Sequence, residues 1–370
     1  MTTKNQRSVL ISGASFAGLS TAYWMNRFGY KVTVVEIAPG LKKGGTPVNI
    51  LERTIDIVQR MGIFEQIFQN RLTIETIEFK DGDDITLRQD HHQHREQEEY
   101  EIERDLLLHM LYDLVSDKVE FVFGETITGL TEENEHMQVT FRNMESRSFD
   151  LVFGCDGVHS AVRKLWFGEE KEFTQFLKAY FSITIVDHLL IPENTTQMYS
   201  EVGKTIMLNT YNGKTDICFA YFSENDIPYD YRNEPQMREI IFEQFKDSGW
   251  RAKELLAETA RSASFYFDKL CQVKMPSWTK GRVALVGDAG YCPSPAAGRG
   301  GSIAIDGAAA LAGAFGKCNG NFEKAFLEYD SSFRPFVEQV QSEVVDFGLD
   351  MLIPKTKEAV AKRNTQGFNL

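Results

Sequence analysis

Three short segments carry residue types and spacings that could do chemistry. In the first, Gly13-Ala14-Ser15-Phe16-Ala17-Gly18 is followed by an apolar stretch that ends in Glu36. A turn of this kind between a strand and a helix aims helix N-terminal amides at a pyrophosphate. Gly13 allows the tight turn, Ala17 and Gly18 let the helix lie close to the strand, and the Glu36 carboxylate accepts hydrogen bonds from an adenosine ribose. Ser15 stands at the middle glycine of the G-x-G-x-x-G pattern, so the pyrophosphate must tolerate a hydroxymethyl group. In another segment, Gly287-Asp288-Ala289 leads into Pro293, Pro295, Gly298, Gly300, Gly301, Ser302 and Asp306, and then a run of alanines. A strand ending in Gly-Asp sets a carboxylate where it accepts a hydroxyl, and the glycines admit a flat ring close to the backbone. A helix starting near Gly301 and Ser302 offers positive partial charge to an anionic ring edge, as a reduced flavin would present. Between the two lies Cys155-Asp156-Gly157-Val158-His159-Ser160-Ala161-Val162-Arg163. Alone it reads as an Asp-Gly turn with Ser160 as N-cap, and only its neighbours give it further meaning.

Other chemistries find less support. The stretch Gln89 to Glu99 holds His91, His92 and His94 but no carboxylates or cysteines at ligand spacing, and it reads as a solvated loop with no metal. Cys155, Cys218, Cys271, Cys292 and Cys318 are odd in number and scattered, which suits reduced thiols better than a disulfide framework. No nucleophile triad stands out. Phe181, Met198, Tyr199, Met207, Tyr211, Phe219 and Tyr221 give one region an aromatic and sulfur-rich character. That suits a flat polycyclic ligand, and equally an ordinary sheet core.

These segments need elements to position them. Val9 to Ser12 and Lys31 to Glu36 read as strands around a helix from Leu19 to Phe28, a β-α-β unit. Ile55 to Ile67 and Arg104 to Val115 read as helices. Ile74 to Arg88 reads as one or two strands turning at Asp81-Gly82, and Glu120 to Gly124, Gln138 to Arg142 and Asp150 to Gly154 also read as strands. From Phe181 to Phe222 the pattern alternates, with Thr205 to Tyr211 and Asp216 to Phe222 joined by the hairpin signal Asn212-Gly213. Helices over Gln236 to Lys246 and Arg251 to Glu258 follow, then a strand over Arg282 to Val286 and a small-residue helix over Ser302 to Phe315. The change of periodicity predicts an antiparallel domain (73–99 and 176–267) inserted into a discontinuous nucleotide domain (1–72, 100–175 and 268–330), with a helical segment over 331–370.

A formal charge of -13 disfavours a nucleic-acid partner, because such binding relies on clustered Lys and Arg. The basic tail residues Lys355, Lys357, Lys362 and Arg363 read as a solvated helix face. Residues 1–8 are polar and no apolar run reaches membrane-spanning length, so the expectation is a cytoplasmic protein with no membrane span.

In this order and at these separations, the three segments resemble those of the group A FAD-dependent monooxygenases, the para-hydroxybenzoate hydroxylase type, over nearly the whole chain. Gly44-Gly45-Thr46 ahead of a helix, Ile102-Glu103-Arg104 and Trp250 to Leu256 are similar to the tetracycline-inactivating branch. The resemblance implies an α/β fold: a Rossmann-like FAD-binding domain with an inserted antiparallel β-sheet substrate domain and C-terminal helices. It implies FAD as cofactor, NADPH or NADH as electron donor, O2 as oxidant, and a flavin C4a-hydroperoxide that hydroxylates an aromatic or polyketide-like small molecule, in a monomer or homodimer. It places Glu36 on the FAD ribose, Arg104 beside the FAD, Asp156 in a motif shared by FAD and NAD(P)H, and Asp288 on the ribityl chain. Gly44 and Gly45 would lie against the isoalloxazine, Gly287, Gly301 and Ser302 in the cofactor cradle, and Pro295, Gly298 and Gly300 near the reactive edge. Met207, Tyr211, Phe219 and Tyr221 would face substrate, and no side chain is required as a catalyst. Ser15, Gly290-Tyr291, Arg299 and Ser302 depart from the family pattern. An FAD-dependent reductase of the same fold, or a flavin- or drug-binding protein without turnover, remain alternative readings.

Overall fold

A computed structural model describes residues 6–91 and 99–367. His92 and His94 of the histidine loop lie outside them. The first layer is a six-stranded sheet in the order Thr279–Lys280, Val283–Leu285, Leu151–Gly154, Ser8–Ser12, Lys31–Glu36, Glu120–Phe123. Every pairing is parallel except that of the short edge strand Thr279–Lys280. Strands covered on both faces become continuous apolar runs, and Val9, Leu10 and Ile11 are fully buried accordingly. On this sheet lies the helix Phe16–Arg27, and the helix Gly300–Lys317, which starts slightly before the expected Ser302, packs against that helix and against the strand Val48–Leu51. Small residues let the layers close up. A Cβ on Gly18 would stand 1.9 Å from the Gly13 carbonyl oxygen, and one on Gly301 2.4 Å from Val48 Cγ1.

The second large unit is a seven-stranded sheet, ordered Ser264–Val273, Thr174–Val186, Lys214–Phe222, Lys204–Tyr211, Thr195–Glu201, Thr76–Lys80, Thr86–His91. The expected hairpin turns at Asn212 and Gly213, both at positive φ, which matches the primed turns that suit strand twist. One pairing departs from the antiparallel expectation: Thr195–Glu201 runs parallel to Thr76–Lys80, because the latter strand comes from a distant part of the chain. One face of this sheet is closed by the helices Glu234–Phe245 and Ala252–Arg261. The other face meets the nucleotide-type layer.

Two local expectations need correction. The helix expected over Ile55 to Ile67 is two helices, Glu52–Met61 and Phe64–Gln69, because Gly62 adopts the left-handed conformation (φ 81°) that ends helices. Gly44-Gly45-Thr46 precedes a strand, Val48–Leu51, and the helix comes only after it. A 22-residue helix, Phe322–Glu343, crosses the expected boundary at 330 and packs Tyr329 and Phe333 around buried Trp278 and Tyr291. This cluster accounts for the departure at Gly290-Tyr291. The Tyr291 hydroxyl lies 3.0 Å from that of Tyr329, over a helix position where Gly307 leaves it room.

Candidate cofactor and substrate site

The turn after the first strand is pinned by its own backbone. The Gly13 amide donates to the Val35 carbonyl at 2.7 Å, and the helix Phe16–Arg27 begins at Ser15, whose hydroxyl makes no capping bond. Glu36 accepts from the Ala14 amide at 2.8 Å and from the Ala38 amide at 2.9 Å, one per carboxylate oxygen. Each oxygen keeps a further lone pair for a hydroxyl donor. Glu36→Ala is therefore expected to weaken FAD binding about tenfold or more through loss of charge-assisted bonds. Titration of the apoprotein with FAD checks this, and an unchanged affinity would remove Glu36 from the site.

The Asp-Gly segment is a buried clamp. Asp156 accepts from the Ser160 hydroxyl, from the Val162 amide at 3.1 Å and from Ser12 Oγ at 3.3 Å. Burial pushes its carboxyl upward, and these bonds work against that rise. The Arg163 guanidinium, fully buried, donates to the Ala289 carbonyl at 2.8 Å and to the Val158 carbonyl. Arg163 thus ties the Asp-Gly segment to the Gly-Asp segment, a link that residue types alone do not reveal.

His159 connects the same segment to the large sheet. Its ring donates to Glu170 Oε2 at 3.0 Å and to Asp268 Oδ2 at 3.3 Å, and stacks on Tyr231 at 4.3 Å. Asp268 also accepts the Tyr229 hydroxyl at 2.6 Å and the Tyr266 hydroxyl at 3.1 Å. Burial opposes the imidazolium, yet the bonds to Asp268 and Glu170 outweigh it and raise His159 to about 9 from 6.5. A histidine raised in the folded state stabilises fully below its unfolded pKa and loses that contribution as pH climbs through the folded one. The stability gap between wild type and His159→Gln, read from melting, should be widest near pH 6, at about 2 kcal/mol, and narrow towards pH 9 and above. A gap that is constant over this range would contradict a charged His159.

Asp288 is the most exacting position. It is half-buried at the start of a short helix after Gly287, and its Oδ1, itself buried, has no hydrogen-bond partner among the described residues. Burial raises its carboxyl to about 6, against a small opposing pull from Cys292 and Arg163. An unpaired buried oxygen of this kind fits a hydroxyl donor brought by a ligand. Beyond it, Pro295–Ala297 forms a 3-10 turn ending at Gly298, and Gly300 opens the long helix. A Cβ on Gly300 would meet nothing within 4 Å, which leaves space at the helix N-terminus. The Ser302 hydroxyl donates to the Asn49 carbonyl, so the departure at Ser302 anchors the helix to Val48–Leu51.

The opposite wall is the Gly44-Gly45 segment. Both residues have positive φ, 85° and 109°, which a side chain would resist. The Gly44 amide donates to both oxygens of Asp105, at 3.0 and 3.1 Å, and Arg104 donates to the carbonyls of Lys42 and Gly44 at 3.0 and 2.9 Å. Burial lowers the Arg104 guanidinium, whose carbon lies 5.3 Å from the Phe16 ring centre. Arg104 thus braces the loop directly beside the dinucleotide-type turn.

Strand register decides which sheet residues face this region. Ile185 and Ser264 are paired, and both would contact a Cβ placed on Gly44, so their face looks towards the cofactor side. By register, Asp216 and Asn209 share that face, as do Met207, Cys218 and Tyr211. Phe219 and Tyr221 are on the other face. They are buried with Phe245, Ile241 and Leu255 beneath the helices, as part of the sheet core. Tyr266, with Phe181 beside it at 5.5 Å, also lies on the inward face.

The residues present fit FAD: a helix N-terminus after a tight glycine turn, an acidic residue at the second strand, an unpaired buried carboxylate oxygen and a glycine-lined gap. The model of the FAD binding domain family matches residues 6–344. The chain belongs to this family and is an FAD-dependent monooxygenase. A flavin-dependent monooxygenase of Legionella longbeachae is 33% identical over 90% of this chain and 86% of its own length. An uncharacterized protein of Mycobacterium tuberculosis is 34% identical over 92% of this chain and 93% of its own. Among solved structures, tetracycline destructase Tet(51) superposes with a TM-score of 0.86 at 32% identity, covering 98% of this chain and 95% of that one. Among the described residues no helix is long and apolar enough to cross a membrane, and no cluster of His, Cys, Asp and Glu could hold a metal ion.

Proposed function

We propose that the enzyme uses NADPH or NADH to insert one atom of O2 into an aromatic or polyketide-like substrate held between the Gly44-Gly45 segment and the inward face of the large sheet. The buried, unpaired Oδ1 of Asp288 carries the cofactor part of this reading. Bound FAD supplies the chemistry, accepting a hydride and activating O2. The chain supplies placement. The turn from Gly13 to Gly18 and Glu36 hold the adenosine and pyrophosphate end, and Asp288 accepts a ribityl hydroxyl. The amides at Gly300 and Gly301 stabilise negative charge on the ring. Pro295 and Gly298 border the reacting edge, and Gly44 and Gly45 allow the ring to lie against the backbone. The seven-stranded sheet excludes water and aligns the substrate, with Met207 and Tyr211 on its inward face.

Tetracycline is the first substrate to test, because of the overall likeness to Tet(51) and Tet(55). Incubation with tetracycline, NADPH and air should yield a product heavier by one oxygen atom. Unaltered drug beside active turnover of another phenol would redirect the search to other aromatics. Substrate-dependent NADPH oxidation that proceeds as fast without O2 would instead support a reductase.

A further inference from the structure

The inward face of the large sheet holds a buried acid, Asp216, whose carboxylate is only half satisfied. Asp216 lies there, in register with Asn209 and Ile185, at the level of the sheet that confronts Gly44. It is fully buried. Its Oδ1 accepts the Tyr211 hydroxyl at 2.8 Å, whereas Oδ2 has no hydrogen-bond partner among the described residues. Glu101 approaches from the facing layer. It is paired in register with Asn49, whose amide nitrogen is 4.0 Å from the position a Cβ would take on Gly298, so Glu101 and Asn49 look towards the Pro295–Gly298 turn. Glu103, next on the same strand end, is already taken: Lys214 and Asn212 donate to it. Asp105 is likewise held by Arg104 and the Gly44 amide. Glu101 and Asp216 have no ion pair among the described residues, and Lys214, on the same sheet face as Asp216, is spent on Glu103.

Burial raises both: Glu101 to about 7, with Glu99 adding to the effect, and Asp216 to about 7, with Tyr211 and Lys214 opposing and Glu101 and Glu103 adding. The bond from Lys214 to Glu103 brings the strand end that carries Glu101 against the stretch that carries Asp216, and acids gathered in a poorly solvated place are stabilised most by a positive charge beside them. A neutral hydroxyl could satisfy one lone pair but would leave the mutual repulsion. Glu101 is part-exposed, while Asp216 is fully buried and keeps the unpaired oxygen.

We propose that Glu101 and Asp216 form a cation-recognising subsite, so that the preferred substrates are aromatic or polyketide-like molecules bearing a protonated amine. This deepens the proposed function and rests on its placement of substrate at the inward sheet face. The ammonium group seats against Glu101 and Asp216, and the ring system extends from there towards Gly44 and Met207. The two residues select and orient the substrate; oxygen transfer does not depend on their giving or taking a proton.

The test is binding to the oxidised, FAD-loaded enzyme without NADPH, read as a perturbation of the flavin absorbance. Matched pairs differ only in the amine: tyramine against 4-ethylphenol, and tetracycline against 4-dedimethylaminotetracycline. The amine-bearing member of at least one pair should bind roughly tenfold or more tightly, as for a charge-assisted bond at a desolvated site. Asp216→Asn and Glu101→Gln should each shrink that preference towards unity while the neutral member keeps its affinity. Two variants are used so that one remains informative if the other loses FAD. Equal binding of both members of every pair, failure of all the amines to bind, or a preference unchanged in the variants would each overturn the subsite. Substrate-dependent O2 uptake with a neutral aromatic under those outcomes would leave the monooxygenase reading standing, so the two fail separately.

Discussion

Replacing Asp288 with alanine should leave a folded protein that has lost most of its FAD. The lost bond is one from a ribityl hydroxyl to a buried charged acceptor, about 1.5–3 kcal/mol, or roughly tenfold to more than a hundredfold in affinity. The apoprotein should behave in the opposite sense. In the folded apoprotein, burial raises the Asp288 carboxyl to about 6 from 3.8 and leaves Oδ1 unpaired, so its charged form works against folding. A raised acid penalises the folded state fully above its folded pKa, and the penalty fades as pH falls towards the unfolded value. Apo Asp288→Ala should therefore melt no lower than wild-type apoprotein at pH 7.5, and its relative advantage should shrink between about pH 6 and pH 4. Flavin absorbance after gel filtration and pH-dependent melting check both halves. Wild-type FAD content in the variant would show that Asp288 does not face the cofactor.

Gly18→Ala should be the more damaging of two superficially similar changes. Its Cβ would fall 1.9 Å from the Gly13 carbonyl oxygen, and backbone on both sides must move. Overpacking of this sort costs about 1–3 kcal/mol and occasionally more, and here it also distorts the turn that faces the pyrophosphate. Gly300→Ala provides the contrast, since its Cβ enters open space at the helix start. The Gly18 variant should melt well below wild type even as apoprotein. The Gly300 variant should keep apoprotein stability and lose FAD affinity, because the methyl group occupies room for the ring. Equal melting of the two apoproteins would contradict the close strand–helix approach.

Much of the fold could be read in advance where one physical constraint acts alone. The buried run Val9 to Ser12, the glycine turn and the Asn212-Gly213 hairpin each have one low-energy solution, and each forms as expected. The break at Gly62 was missed because the apolar periodicity continues across it, while the left-handed residue stops the helix. Sheet facing was the harder matter. Lys214–Phe222 is buried on both sides, under helices on one face and against the cofactor layer on the other, so apolar character marks neither face as inward. Register settles it, and it sends Phe219 and Tyr221 into the core while Met207 and Asp216 look inward. The bonds from Arg163 to Ala289 and from His159 to Asp268 join residues more than a hundred positions apart. No local pattern encodes such pairs, although both donors stand inside the Asp-Gly segment.

The central claim is that oxygen from O2 ends up in an organic product. The most direct measurement is turnover of an accepted substrate with NADPH under 18O2 in ordinary water, followed by mass spectrometry of the product. The product should carry one heavy oxygen atom per molecule, and none when the label is supplied as H218O under ordinary O2. A product labelled only from water, or formed equally well in the absence of O2, would contradict it.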